Sequence, residues 1–389
     1  MKYDFTVPPR RGLSLKWDVA EDELPMWVAD MDFKVAPEIT DALRKRVEHG
    51  VFGYTDVPDE WYDAYINWWK RRHDFVIERE WLTFCTGVIP AISSLVRKFT
   101  TPNERVLILT PVYNIFFNSI VNNGCKPQEC PLTYKDGEYD IDFELLEKYL
   151  ALPQTTLMIL CNPHNPVGKI WDKETLARIG ELCYKNGVTV ISDEIHCDLT
   201  APGKGYVPFA KASEICADIS ITCLAPTKTF NVAGIQTAAI FVPNKNLRNR
   251  AKRAINTDEV AEPNVFAAVV AATAFDKGEE WLDELREYLW KNRRYAEDYI
   301  EKNVPPLKAV KGEATYLLWI DLNGLPNLPL ASKIIREEGK LVLNEGSSYG
   351  VAGKGFLRMN LATSFELVKE GLERLKKGVD AILSNVRRE

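Results

Sequence analysis

The sequence lacks long apolar runs, a signal-peptide pattern, paired cysteines and histidine clusters. Its apolar stretches, such as 188–192 and 237–242, are far shorter than the ~20 residues that a membrane-spanning helix needs, so no membrane contact is expected. The N-terminus has no apolar h-region, which argues against secretion. Eight cysteines without a Cys-x-x-Cys pair and only four histidines do not form a zinc-site pattern. We therefore expect reduced cysteines in the core, no metal and a cytoplasmic protein.

Charge of one sign is not concentrated in any segment. The chain has 49 basic and 55 acidic residues, a net charge of −6 and no long basic block, so nucleic acid is not an expected partner. No Gly-x-Gly-x-x-Gly or Gly-x-x-x-x-Gly-Lys-Ser/Thr turn is present, which disfavours a plain nucleotide-binding protein. The 389 residues are 46% hydrophobic and 27% charged. This composition is typical of a globular protein with one large domain of roughly 200–300 residues and a smaller one.

From about residue 83 to 242, apolar strands alternate with helices. The predicted strands are 82–86, 105–110, 157–161, 188–192, 219–224 and 237–242, and the predicted helices are 89–100, 113–122 and 172–186. Several of these strands are continuous apolar runs rich in β-branched residues, a pattern typical of strands buried on both faces. We therefore predict an α/β fold with a mainly parallel sheet between helical layers.

After residue 262 the pattern changes. Helices are predicted at 263–277, 279–303, 330–338 and 365–387, and strands at 315–322, 340–343 and 355–361. These elements predict a smaller α+β domain. The predicted organisation is an N-terminal segment (1–35) that packs on the smaller domain or on a neighbouring chain, a large domain (36–277) and a small domain (278–389).

Polar residues follow three of the predicted strands. Asn165 lies in Asn-Pro-His-Asn-Pro-Val-Gly, Asp193 and His196 in Ser-Asp-Glu-Ile-His, and Lys228 in Ala-Pro-Thr-Lys-Thr-Phe-Asn. Ligands of open α/β sheets bind beyond the carboxyl ends of strands. A buried lysine or carboxylate there is costly unless it is paired or used. Structural alternatives remain open: Asn165 caps a turn, Asp193 caps a helix, and His196 bonds to backbone.

Two further strand ends carry candidate ligand groups. Gly87 and Val88 precede a helix with Pro90 in its first turn, which presents backbone N–H groups to a phosphate; an ordinary strand-to-helix turn is the alternative. Tyr113 places an aromatic ring after the strand 105–110, where core packing is the competing explanation.

Together these groups fit one cofactor, pyridoxal 5'-phosphate. A lysine amine forms a Schiff base with an aldehyde, an aspartate keeps a pyridine nitrogen protonated, and an asparagine donates to a phenolic oxygen. Asn165, Asp193, Lys228 and Arg358 occur in the order and with the separations of a known family. Over nearly its whole length the sequence resembles the fold-type I pyridoxal-phosphate enzymes of the class I/II aminotransferase group. The resemblance implies a seven-stranded, mainly parallel sheet between helices, with a smaller α+β domain.

Three motifs narrow the resemblance to one branch. The histidine in 192–198, the lysine motif at 225–234 and Pro-Met-Trp-Val-Ala-Asp-Met-Asp-Phe at 25–33 are similar to the MalY/PatB branch of cystathionine β-lyase-type carbon–sulfur lyases. Many aminotransferases of the group carry an arginine eight residues after the lysine, where this chain has Gln236. That departure agrees with the lyase branch and leaves open how the phosphate charge is balanced.

The resemblance implies roles for individual residues. The catalytic residues are Lys228, Asp193 and Tyr113; the cofactor contacts are Lys228, Asp193, Asn165, Tyr113, Gly87, Val88, Thr227, Tyr54 and His196; the substrate contacts are Arg358, Tyr54 and Asn165. Tyr113 stacks on the cofactor ring, and Arg358 grips the substrate α-carboxylate with its planar fork. Tyr54 reaches the phosphate of a partner subunit, which implies a homodimer. Trp17 and Trp27 either join that interface or pack on the small domain.

The implied reaction begins when the substrate amine displaces Lys228, which then removes the α-proton. Loss of a β-thiolate gives pyruvate and ammonia, whereas proton delivery to the cofactor gives transamination. We predict a carbon–sulfur β-lyase acting on cystathionine or related cysteine conjugates. An aminotransferase is the alternative, and a cofactor-binding regulatory protein that acts through a partner is a further one. The preferred thioether is not predicted.

Overall fold

The computed structural model describes residues 1–8, 10–326 and 328–386. The strands are β1 (Leu24–Pro25), β2 (Leu82–Cys85), β3 (Arg105–Thr110), β4 (Lys126–Pro131), β5 (Thr133–Lys135), β6 (Glu138–Asp140), β7 (Thr155–Cys161), β8 (Thr189–Asp193), β9 (Ser220–Leu224), β10 (Ala238–Phe241), β11 (Lys308–Ala309), β12 (Leu317–Asp321), β13 (Leu341–Val342), β14 (Asn344–Glu345) and β15 (Phe356–Asn360). The helices are α1 (Pro37–His49), α2 (Asp59–His73), α3 (Val88–Phe99), α4 (Ile115–Val121), α5 (Phe143–Leu150), α6 (Lys173–Lys185), α7 (Phe209–Ala212), α8 (Glu214–Ile219), α9 (Pro226–Thr229), α10 (Lys245–Thr257), α11 (Ala267–Lys277), α12 (Glu279–Asn303), α13 (Leu328–Gly339) and α14 (Phe365–Val386).

The central sheet has the strand order β2-β10-β9-β8-β7-β3-β4. Only β10 runs antiparallel to its neighbours among these described strands. Alternate residues of β3 enter two different cores: Val106 and Ile108 pack with α3 and α10, whereas Leu107 and Leu109 pack with α5 and α6. Both faces of the sheet are therefore covered, which explains why its strands are continuous apolar runs. The predicted α/β fold with a mainly parallel, seven-stranded sheet is confirmed.

The edge strand β4 is not predicted by the sequence pattern. It contains Pro127 and Pro131 and exposes several of its side chains, so it resembles a loop in composition. Within the described part of the chain, β4 pairs with β3 alone. Proline is tolerated on an edge strand because the missing N–H can face away from the ladder. Two predicted helices also begin too early: α4 starts at Ile115 and α11 at Ala267.

A second, antiparallel sheet has the order β11-β12-β15-β14 and packs with α12, α13 and α14. Its strand β15 carries Arg358 opposite Trp319 of β12 and Asn344 of β14. The bounds predicted for α12 agree with the structure. The predicted end of the last helix, Arg387, lies outside the described residues.

The N-terminal segment packs on its own chain. Strand β1 runs parallel to β13 beside the second sheet, and the ring of Phe5 lies 5.3 Å from that of Phe33 and 5.2 Å from that of Tyr288. Trp17 packs against the core of the second sheet and donates to Asp32 through its indole N–H. Trp27 likewise donates to a backbone carbonyl of the segment, that of residue 16. Among the described residues, no helix is long and apolar enough to cross a bilayer.

Candidate active site

A cavity of about 370 Å³ opens at the carboxyl ends of the central parallel strands. The residues lining it are Ala29, Thr86, Gly87, Val88, Ile89, Pro90, Tyr113, Cys161, Asn165, Asp193, Ile195, His196, Thr227, Lys228, Ala233 and Gln236. Eight of the predicted site residues are therefore brought together: Gly87, Val88, Tyr113, Asn165, Asp193, His196, Thr227 and Lys228. The cavity lies where ligands of parallel α/β sheets are expected.

Lys228 occupies the single helical turn α9, directly after the buried strand β9. Pro226 starts this turn, where its missing N–H costs nothing. The Lys228 Nζ donates to the carbonyl oxygen of Ala29 at 2.6 Å. Burial and the nearby Arg358 guanidinium lower the pKa of Lys228 from 10.5 to about 8, although Asp30 and Asp193 oppose the shift. A neutral amine is therefore accessible near physiological pH, as a proton acceptor requires.

Asp193 ends strand β8 and is almost fully buried. Its Oδ1 accepts the backbone N–H of Ile195 at 3.2 Å, so it also caps the following turn. Burial raises the pKa of Asp193 to about 7, against the opposing effects of that N–H and of Lys228. A carboxylate in this position favours a cationic partner inside the cavity.

The neighbouring Glu194 points away from the cavity and anchors the loop. It accepts hydrogen bonds from the Ser192 hydroxyl at 2.8 Å, the Phe209 N–H at 2.8 Å and the Tyr206 hydroxyl at 3.0 Å. Of these two adjacent carboxylates, Asp193 lines the cavity and Glu194 holds the loop by hydrogen bonds.

One wall of the cavity is the N-terminus of α3. Gly87 is its N-cap and Val88 its first residue, so the first N–H groups of a 12-residue helix face this region. A Cβ at Gly87 would lie 3.1 Å from the Cδ of Pro90, so the cap position is tightly packed. Thr227 of α9 lies on the same cavity. Helix N-termini with free N–H groups bind anions, which fits the predicted phosphate site.

The remaining wall is formed by Tyr113, Asn165 and His196. Burial raises the pKa of Tyr113 to about 12, so its hydroxyl stays neutral. Burial, together with Lys228 and Arg358, lowers the pKa of His196 to about 3, so the imidazole is neutral as well. Asn165 is buried and accepts a hydrogen bond from Arg358 Nη1 at 3.3 Å.

Arg358 projects from β15 towards this wall, so the second sheet contributes to the site. Its Nη2 donates to the carbonyl oxygen of Trp27 at 2.9 Å, and its guanidinium lies 5.1 Å from the ring centre of Tyr349. Its Nε is buried without a hydrogen-bond partner among the described residues. Because a buried donor without a partner is costly, Arg358 is suited to a carboxylate ligand.

The hydrogen bonds that the N-terminal segment makes to site residues were not predicted from the sequence. The Ala29 carbonyl accepts hydrogen bonds from both Lys228 and the Tyr316 hydroxyl, the latter at 2.9 Å. The Asn360 amide donates to the carbonyls of Val28 and Asp30, at 2.6 Å each. The available signal was the two-residue spacing of Asn360 from Arg358, which places both side chains on one face of a strand.

Tyr54 does not line the cavity of its own chain. It is fully exposed, and it lies on a separate groove of about 660 Å³ with Phe52, Phe266 and Gln236. Gln236 borders both the groove and the cavity. The predicted contact of Tyr54 with a partner subunit therefore stays a prediction.

The residues present fit pyridoxal phosphate. His196 Nδ1 and Arg358 Nε are buried without partners in the described part of the chain, and Asp193 lines the same cavity as Lys228. The N-terminus of α3, where backbone N–H groups are suited to an anion, lies at one side of the cavity. A phosphate-bearing aromatic aldehyde can use each of these groups.

Residues 23–375 match the family described as aminotransferase class I and II. The chain belongs to this family. Cystathionine beta-lyase PatB of Bacillus subtilis (strain 168) is 43% identical over 371 residues, which are 93% of this chain and 96% of that protein. Protein MalY of Escherichia coli (strain K12) is 32% identical over 392 residues, which are 98% of this chain and 100% of that protein. The resemblance to the MalY/PatB branch is confirmed.

The solved structures agree with this family assignment. Cystalysin from Treponema denticola, whose crystal structure contains a pyridoxal 5'-phosphate cofactor, superposes with a TM-score of 0.94 at 36% identity. The match covers 98% of this chain and 100% of that one. The chain therefore has the fold-type I architecture.

Proposed function

We propose that the protein is a pyridoxal-phosphate-dependent carbon–sulfur β-lyase that cleaves L-cystathionine or related cysteine S-conjugates to a thiol, pyruvate and ammonia. The observation that carries the proposal is the convergence of Lys228, Asp193 and Asn165 on one cavity, with Arg358 bonded to its edge. The full-length relatives named as lyases favour this reaction class over others in the family.

Bound pyridoxal phosphate supplies an electron sink for the charge that develops at the substrate α-carbon. Arg358 binds the substrate α-carboxylate, and Asn165 fixes the angle of the guanidinium. Asp193 holds a proton on the cofactor ring nitrogen by pairing with it. Lys228, whose pKa is lowered to about 8, takes the α-proton at its Nζ.

The other side chains of the cavity wall are uncharged. Tyr113 lies at the cavity as an uncharged ring that can stack on the cofactor, and His196 is an uncharged imidazole. The N-terminus of α3, with Gly87, Val88 and the nearby Thr227, holds the phosphate. Gln236 brings no positive charge there, so the helix end carries more of the phosphate binding.

The decisive experiment supplies L-cystathionine without any 2-oxo acid acceptor. Pyruvate and homocysteine should then accumulate over many turnovers, and Lys228→Ala should abolish this turnover. The same variant should no longer be fixed covalently to the cofactor by borohydride. Strict dependence on an added 2-oxo acid would instead support an aminotransferase, the activity after which the family is described.

We also propose that the active unit is a homodimer in which Tyr54 contacts the phosphate in the partner's cavity. Its full exposure and the proximity of its groove to Gln236 support this assignment. We further propose that the chain is organised as an N-terminal segment (1–35), a large domain (36–277) and a small domain (278–389). We also propose a cytoplasmic location. The eight buried, free cysteines fit a reducing compartment.

A further inference from the structure

Asp198 is a buried carboxylate with no role in the proposed reaction. Its side chain is 1% exposed, and its Oδ1 accepts hydrogen bonds from Trp68 Nε1 at 3.0 Å and His73 Nε2 at 2.9 Å. Its Oδ2 accepts the hydroxyl of Thr229 at 3.0 Å. Burial acts to raise the pKa of Asp198, but the His73 and Trp68 donors outweigh it and the pKa is lowered. Asp198 is therefore an ionised acceptor with donors on both oxygens.

The hydrogen bond between Asp198 and Thr229 joins the two loops that carry the reacting groups. Thr229 directly follows Lys228, and Asp198 follows Asp193 by five residues. Where these two loops begin, strands β8 and β9 pair with each other, and Asp193 lies opposite Cys223. The turn that carries Lys228 is thus fixed relative to Asp193 at both ends.

Helix α2 provides the support behind this bond. Besides donating to Asp198, the Trp68 ring contacts that of Phe230 edge-on, with centres 5.7 Å apart. Phe230 is fully buried and follows Thr229 in the chain. Because α9 has only four residues, its own backbone hydrogen bonds cannot hold it, and these tertiary contacts must do so.

A buried ionic group of this kind is weak evidence for stability, since packed apolar residues often replace one without loss. The position of Asp198 beside the turn that carries Lys228 is better explained by a role in catalysis than by a contribution to stability. We propose that Asp198 is a positioning residue, which acts through the Thr229 hydroxyl to hold the Lys228 amine in reach of the substrate α-proton. The inference rests on the proposed role of Lys228.

The test compares Thr229→Val, which removes the hydroxyl but keeps the shape, with Thr229→Ser, which keeps the hydroxyl. The matched control is Thr155→Val, because Thr155 is also buried and donates to a backbone carbonyl, that of Tyr149, at 2.9 Å. The holoenzymes are compared by kcat, by KM and by the pH midpoint of the absorption change of the bound cofactor. Urea unfolding measures the structural cost of each change.

Thr229→Val should lower kcat about tenfold, less than the ~100-fold cost of a 1 Å misplacement, and leave KM within about twofold. It should also shift the spectral pH midpoint, and Thr229→Ser should recover most of the lost kcat. Thr155→Val should match the wild type in kcat and midpoint. Unchanged kcat and midpoint in Thr229→Val, or equal impairment in Thr229→Ser, would overturn the proposal.

Borohydride fixation separates this inference from the proposed function. Cofactor that is still fixed to the Thr229→Val chain shows that Lys228 carries it while its positioning is impaired. Failure of fixation in the wild-type protein would instead count against the role of Lys228 itself.

Discussion

Lys228 is held in surroundings that oppose its charge, so Lys228→Met should remove a pH dependence from the stability of the cofactor-free protein. The pKa of Lys228 falls from 10.5 to about 8 in the folded chain, mainly through burial. At about 1.4 kcal/mol per pKa unit, this shift corresponds to about 3 kcal/mol.

The sign follows from proton binding. Between pH 8 and 10.5 the unfolded chain keeps the proton on Lys228 while the folded chain has lost it, so the wild type gains stability as the pH rises. The variant lacks this gain. Its stability relative to the wild type should therefore be about 3 kcal/mol more favourable at pH 7 than at pH 10.5. Titrating groups outside the site are common to both chains and cancel in the comparison.

The assay is urea unfolding of both cofactor-free proteins across this pH range at equal protein concentration. Loss of the hydrogen bond to the Ala29 carbonyl adds a cost to the variant, and Tyr316 still donates to that carbonyl. The pH dependence of the difference is therefore the diagnostic quantity. Lys308→Met, at an exposed position, is the matched control. A difference between Lys228→Met and wild type that stays constant with pH would refute the reasoning.

Two further predictions concern the substrate and the partner subunit. Arg358→Lys keeps the charge but loses the planar fork, so KM should rise about 10- to 150-fold, as expected for losing about 1.5–3 kcal/mol from a hydrogen bond to a charged group. A KM within twofold of wild type would contradict carboxylate binding at this residue. Co-expressed Tyr54→Ala and Lys228→Ala chains should regain about a quarter of wild-type activity, because half of randomly paired two-fold dimers are mixed and contain one complete site. No recovery would show that Tyr54 does not act across an interface.

The sheet was predictable because its strands are buried on both faces. Continuous apolar runs such as 188–192 have no other simple explanation in a chain of this composition, and β8 was predicted to within one residue. Strand β4 was not predictable in this way, because an exposed edge with two prolines carries no apolar pattern. Its identity as a strand depends on pairing with β3, which is a long-range contact.

Part of the candidate site could be predicted from the sequence and part could not. Asp193 ends one buried strand and Lys228 lies in the turn that follows another, so their position in the sequence indicates their position at the sheet edge. The Ala29 carbonyl could not be predicted, because a backbone atom in an irregular segment has no sequence signature. Asp198 was equally hidden, since its donors Trp68 and His73 come from a helix more than 120 residues away in sequence.

The hydrogen bonds of residues 28–30 also have a consequence for the order of folding during synthesis. Asn360 and Tyr316, which hold this segment, are separated from it by 332 and 287 residues. A chain that emerges from the ribosome N-terminus first can complete the central sheet long before these partners exist. We therefore expect the wall of the site around Ala29 to form among the last parts of the protein, after the lysine turn, once Tyr316 and Asn360 are available to hold it.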